Sequence, residues 1–178
     1  SFSLCLLSSF IIHRKEITGL SVASLSEESV LLCSSSKDSS MRLMSIDFSS
    51  GIEKSNVLSK RNFAGPGLAL GCCALTHDCK YAFAGCWDSS ISMYRVDSAG
   101  QVHRKSMAHD DGVSSMSLAR GGSSEDHVVL ATGALDASLK VWRVSNGEFD
   151  DEPLAEFFDM ESPILCVEID GSGEYVAA

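Results

Sequence analysis

Three eleven-residue windows of this chain repeat one order of residue types. They are Ser34–Met44 "SSSKDSSMRLM", Ala84–Tyr94 "AGCWDSSISMY" and Thr132–Trp142 "TGALDASLKVW". Each has an aspartate at its fifth place (Asp38, Asp88, Asp136) and a serine two places later (Ser40, Ser90, Ser138). Each then runs apolar, any residue, apolar, large apolar. The aspartates recur about 50 residues apart, and a fixed period of this size specifies a row of equal structural units.

The flanks repeat as well. Just upstream lie the short apolar runs "SVLLC", "YAFA" and "HVVLA". Further upstream are "ITGLSVA", "LALGCCAL" and "VSSMSLA"; downstream are "NVLS", "QVHRKSMA" and "PLAEFF". Clusters of Ser, Gly, Asp and Asn divide these runs, so each unit reads as four short strands. No segment keeps a helical period for three turns. The expectation is an all-β chain built of four-stranded propeller blades. At this period 178 residues hold about three and a half blades. The expected divisions are the end of a preceding blade over 1–12, blades over 13–61, 62–108 and 109–160, and a truncated blade over 161–178. The expectation is that such a partial propeller is a piece of a larger, seven-bladed ring closed by the rest of a parent chain.

The third unit, from His109 to Asp159, explains the order of its residues. His109 precedes its first strand, Thr132 lies in the second, Asp136 in the tight turn and Trp142 in the third. An indole N–H, a hydroxyl, an imidazole and a carboxylate supply one another's donors and acceptors in that sequence. A buried and fully paired chain of this type rigidifies a core. The tetrad His109, Thr132, Asp136 and Trp142 is therefore expected to be a structural pin, since a catalytic triad would not be capped by a tryptophan. The first unit keeps His13, Ser34 and Asp38 but has Met44 at the tryptophan place. The middle unit keeps Asp88 but has Ala84 for the hydroxyl, Tyr94 for tryptophan and no histidine before Leu68. Methionine and tyrosine fill the same space by packing.

Composition excludes several classes of function. The net charge is −10, from 24 acidic and 14 basic residues, which disfavours nucleic acid as a partner. The run Phe2–Ile12 is too short to span a bilayer and lacks the basic start of a signal peptide; it reads as a strand buried on both faces. The seven cysteines have no regular spacing, and Cys33, Cys86 and Cys166 read as small apolar residues within strands. The set points to a reducing, cytoplasmic setting. The tract "CCALTHDC" offers Cys72, Cys73, His77 and Cys79, but adjacent cysteines on a strand face opposite ways and no zinc spacing is present. No metal and no cofactor is expected. Phosphate loops, nucleophile elbows and H-E-x-x-H are missing. The run "EFDDE", Glu148–Glu152, reads as solvated loop between third and fourth strands.

Specificity is then expected in loops held by a rigid scaffold. The residue before the repeated aspartate is free to vary: Lys37, Trp87 and Leu135. With the loops leading into the blades, which carry Arg14, Lys15 and Glu16 in one unit and Asp110 and Asp111 in another, these positions form a candidate rim for a protein or peptide partner. Trp87 is expected there either as an aromatic anchor or packed against the adjacent blade.

The tetrad and its spacing resemble the WD-repeat family. The tracts "SSSKDSSMRLMS", "GCWDSSISMYRVDSAGQVHRKSMAHDDGVSSM", "DASLKVWRV" and "PLAEFF" resemble, further, the C-terminal propeller of FAN-like BEACH-domain proteins, named for a factor associated with neutral sphingomyelinase activation. That resemblance implies a non-enzymatic adaptor in the cytoplasm, peripheral to membranes through its parent protein and without direct membrane insertion. Its implied partner is a receptor cytoplasmic tail of the tumour necrosis factor type, and its implied setting is sphingomyelinase signalling or membrane traffic. The alternative is a generic WD-repeat subunit of another complex, such as a ubiquitin-ligase substrate receptor. A propeller hydrolase would need a titrating group or metal in the central channel.

Overall fold

Successive side chains of a strand point to opposite faces, and here both faces of the inner strands are apolar, so each sheet must be covered on two sides. Stacking sheet on sheet satisfies this. The computed structural model describes residues 12–49, 56–64, 67–98, 100–119, 127–158 and 160–178. The expected blade end over 1–12 lies, but for residue 12, outside them.

The first blade is the antiparallel series β1 (Ile17–Ser26), β2 (Ser29–Ser36), β3 (Ser40–Asp47) and β4 (Asn56–Ala64). β4 continues past the expected boundary at 61, because its pairing with β3 carries Phe63 opposite Met41 into the core. The second blade is β5 (Leu70–Leu75), β6 (Tyr81–Cys86), β7 (Ile91–Arg95) and β8 (Gln101–Lys105). The third has β9 (Val113–Ala119), β10 (His127–Ala134) and β11 (Leu139–Ser145), with an outer edge divided between β12 (Glu148–Phe149) and β13 (Ala155–Phe157), both paired to β11. A hairpin of β14 (Glu168–Ile169) and β15 (Val176–Ala177) follows. Among the described residues there is no helix long and apolar enough to cross a membrane.

Among the described residues, three apolar cores lie between consecutive blades. Cys73 and Leu75 of β5 face the first blade, where they meet Cys33, Leu43 and Phe63. Their neighbours Cys72 and Ala74 face the third blade, with Val113, Leu130 and Trp142. Ala131, Leu139 and Val141 meet Ile164, Val167 and Ile169 across the last interface. Cys33 and Cys86 are buried in strands, but Cys166 is exposed and precedes β14. The "EFDDE" run is likewise not all solvated loop. Its first two residues form β12, and Phe149 is buried edge-on to Phe83 and Trp142.

The serine excess of the inner strands finds its use at these interfaces. Thr18 Oγ1 donates to the Leu70 carbonyl at 2.8 Å. Ser21 Oγ accepts from Leu75 N at 3.0 Å, and Ser115 and Ser117 accept from Val167 N and Ile169 N at 3.0 and 3.2 Å. Ser114 Oγ donates to the Ile164 carbonyl. These hydroxyls satisfy backbone groups of the following blade, as buried polar groups require. At the place of Thr18 and Ser114 the second blade has Gly71. A Cβ there would sit 2.1 Å from the Val113 carbonyl oxygen, so the missing side chain lets the third blade approach more closely.

Candidate functional site

In the third blade the turn Leu135–Ala137 joins β10 to β11, with Ala137 at φ 60°. Asp136 folds back over it. Its Oδ1 accepts from Ser138 N at 2.9 Å and Ser138 Oγ at 2.7 Å, and its Oδ2 from Asp110 N at 2.8 Å. His109 Nδ1 stands 3.2 Å from Asp136 Oδ2 and 2.8 Å from Ser138 Oγ. His109 Nε2 stands 2.8 Å from Thr132 Oγ1, which accepts from Trp142 Nε1 at 2.9 Å. A carboxylate can only accept, so the imidazole proton sits on Nδ1 and Nε2 accepts from the Thr132 hydroxyl. The donors therefore run one way, from indole to hydroxyl to imidazole to carboxylate.

Burial lowers the His109 pKa and outweighs the opposing pull of Asp136, so the ring is held in its neutral form. Burial alone would raise the Asp136 pKa, but the hydrogen bonds from Ser138 and Asp110 outweigh it and hold the carboxyl below its usual value. His109 is 1% and Thr132 0% exposed, so no substrate reaches this hydroxyl–imidazole–carboxylate line. Its chemistry is that of a pin. Ser138 is a fifth member that the four-residue expectation leaves out, although the repeated serine two places after the aspartate marks it.

The first blade has the same array one residue short. His13 Nε2 lies 2.8 Å from Ser34 Oγ, and His13 Nδ1 lies 3.2 Å from Asp38 and 3.1 Å from Ser40 Oγ. Asp38 also accepts from Arg14 N at 2.8 Å. Its burial raises the pKa, but bonds from Ser40, Arg14 and His13 together lower it strongly. Met44, paired with Leu32 as Trp142 is with Leu130, is buried in the tryptophan place.

The middle blade solves the missing histidine differently. Arg104 reaches in from β8, with Nη2 on Asp88 Oδ2 and Nε 3.2 Å from Ser90 Oγ. Ser90 Oγ donates to Asp88 Oδ1 at 2.6 Å. A guanidinium thus replaces the imidazole as the carboxylate's partner. Tyr94 takes the tryptophan place and packs edge-on to Phe63 at 5.2 Å between centroids.

The rim positions come together on one face. Lys37 N, Trp87 N and Leu135 N donate to the carbonyls of Glu16, Ala69 and Gly112 at 3.1, 3.0 and 3.0 Å. The turn and the lead-in loop of each blade are therefore joined in the same way three times. Lys37 Nζ lies 5.9 Å from the centroid of the Trp87 ring and 3.9 Å from Glu16 Oε1. A Cβ on Gly112 would lie 3.2 Å from Trp87 Cα and 3.6 Å from Leu135 Cδ1, so the glycine lets these side chains close up. Trp87 is 49% exposed; it leans on the adjacent blade and still presents a face to solvent. Leu68, 52% exposed, joins this face and was not expected there. Arg14, Lys15, Asp110 and Asp111 are all exposed around it. Among the described residues no group of three or more His, Cys, Asp or Glu is placed to hold a metal ion.

Residues 100–143 match the family described as "WD domain, G-beta repeat". The fold matches the crystal structure of RRP9 WD40 repeats, with a TM-score of 0.66 at 21% identity over 90% of this chain and 44% of that one. It also matches the structure of U3-55K, with a TM-score of 0.65 at 22% identity over 90% and 44%. The chain thus spans less than half the length of these propellers and is an all-β, partial WD40-type propeller. In all, 1029 solved chains match, so the fold by itself selects no function. Nothing among the curated proteins matches the chain.

Proposed function

We propose that the chain is the interaction scaffold of a FAN-like BEACH protein, a non-enzymatic adaptor in which the rim of Lys37, Trp87, Leu135, Arg14, Lys15, Asp110 and Asp111 takes a protein or peptide. The observation that carries the scaffold reading is the half-exposed Trp87. It is held at a turn that the Asp88–Arg104 pair fixes from below. WD40 repeat proteins act generally as platforms of this kind, with loops on a rigid frame doing the recognition. The FAN-like assignment rests on the likeness of the four sequence tracts. It makes the cytoplasmic tail of a tumour necrosis factor-type receptor the first ligand to test, with sphingomyelinase signalling or membrane traffic as the setting. The free, buried thiols of Cys33, Cys72, Cys73 and Cys86 support a reducing, cytoplasmic location, with membranes reached through the rest of the parent protein.

The test is capture of the full-length protein by an immobilised receptor-tail peptide, before and after Trp87→Ala. The expected result is binding that drops at least about tenfold, the loss typical of an aromatic anchor. A tail that does not bind removes the FAN-like role and leaves the generic WD-repeat subunit. Binding that Trp87→Ala leaves unchanged moves the contact away from the rim.

A further inference from the structure

The three lead-in loops occupy equivalent places, as their identical bonds to the three turns show. Arg14 N and Asp110 N make the same 2.8 Å bond to Asp38 and Asp136. Counting from these bonds, Arg14-Lys15 in the first blade corresponds to Gly67-Leu68 in the second and Asp110-Asp111 in the third. The residues before the aspartates are Lys37, Trp87 and Leu135 in the same order. The lead-in positions therefore read basic, apolar and acidic across three consecutive blades, and the turn positions read basic, apolar and apolar.

Two features make this more than scatter. In a chain of net charge −10, the corner of the first blade holds three cations against one exposed acid, Glu16, since the Asp38 carboxylate is turned inward onto His13 and Ser40. The third blade then inverts the charge at both lead-in positions, and the exposed Glu161 extends the acidic side into the loop that leads to β14. Between them stand three exposed apolar side chains, Leu68, Trp87 and Leu135, exposed by 52%, 49% and 36%.

We infer that the rim binds a bipolar protein segment, with carboxylates over Arg14, Lys15 and Lys37, an apolar side chain on Trp87, and cations over Asp110 and Asp111. This rests on the rim reading above and adds the chemistry and direction of its occupant. Complementary potentials across a contact fix register and suppress partners of the wrong polarity. A uniformly acidic or uniformly basic segment meets repulsion at one end.

Three synthetic peptides of identical composition test it against the full-length protein by fluorescence anisotropy at two salt concentrations. One carries an acidic block, Phe-Leu and a basic block. The second reverses the blocks. The third alternates the charges around the same Phe-Leu. One block order binds at least about tenfold more tightly than the alternating peptide, and the preference weakens as salt rises. Arg14→Asp with Lys15→Asp abolishes it. Adding Asp110→Lys and Asp111→Lys restores binding with the preferred block order inverted. All four side chains are exposed and the pins use only the backbone N–H groups of Arg14 and Asp110; of the four side chains Asp111 also accepts from Gly112 N at 2.6 Å, so thermal unfolding stays unchanged in Arg14→Asp with Lys15→Asp and drops only slightly in the four-residue variant. Equal affinity for the alternating peptide, or no inversion in the four-residue variant, overturns the polarity. Unchanged peptide affinity in Trp87→Ala overturns the rim reading beneath it instead.

Discussion

At the scale of residues, the most readable part of the chain is also the least exposed. His109, Thr132, Asp136 and Trp142 were legible because a buried polar line admits few residue types at each place, so it leaves a strict pattern. Arg104 was not legible, since a partner for Asp88 arriving from another strand follows no fixed spacing. The pin also predicts a pH response. Burial depresses the His109 pKa in the folded state, whereas the unfolded ring titrates near about 6.5. Between those two values the unfolded chain binds more protons, so stability rises with pH there. The contribution of the neutral ring is present above about 6.5 and is lost as pH falls toward the depressed value. The low pKa of Asp136 adds a second loss at more acid pH, because stabilisation by the ionised carboxylate disappears below the usual carboxylate range. Urea midpoints of the full-length protein measured from pH 7.5 down to 5 should fall, and His109→Gln should flatten the upper part of that fall. A parallel slope in the variant would remove His109 as its source.

At the scale of elements, each blade was legible as four strands, but the fit between blades was not. Strand alternation gives the faces, and it placed Cys72 and Cys73 in different cores. It does not reveal which hydroxyl reaches the next blade, because a serine facing solvent and one bonded across an interface look alike in sequence. Gly71 carries no signal at all, while Gly133 belongs to the repeated window. The two glycines separate backbone from side-chain crowding. A Cβ at Gly71 would meet the Val113 carbonyl at 2.1 Å, and one at Gly133 would meet Ile164 Cγ2 at 2.3 Å and Val167 Cγ2 at 2.6 Å. The γ-methyls of these β-branched side chains yield stiffly, by a change of rotamer, whereas a carbonyl engaged in strand packing moves only with its sheet. Gly133→Ala should therefore cost about 1 kcal/mol and Gly71→Ala about 3 kcal/mol or more, the two ends of the overpacking range. Equal losses in denaturant titrations would mean that the second and third blades separate as easily as side chains rotate.

At the scale of the whole molecule, the rule that every blade covers its neighbour is broken at both ends of the described array. On β1, Ile17, Leu20, Val22 and Leu25 are exposed, while Ala23 is turned into the first interface. At the other end Phe157, Phe158, Leu165 and Tyr175 are exposed, and Phe157 pairs with Leu139, which faces the last core. Apolar surface of this extent on a repeat array marks a face meant to be stacked. The two faces are also different, so a contact that joins one to the other is head-to-tail and does not close after two. The 178-residue chain made alone should then associate progressively with concentration, forming a ladder of species rather than one dimer. Sedimentation velocity across a hundredfold range of concentration reads this directly. Leu20→Lys with Val22→Lys blocks one face only, and for a head-to-tail contact one blocked face is enough to stop growth. A monomer from that variant supports stacking through β1. A variant that still forms the ladder shows that association runs through another surface.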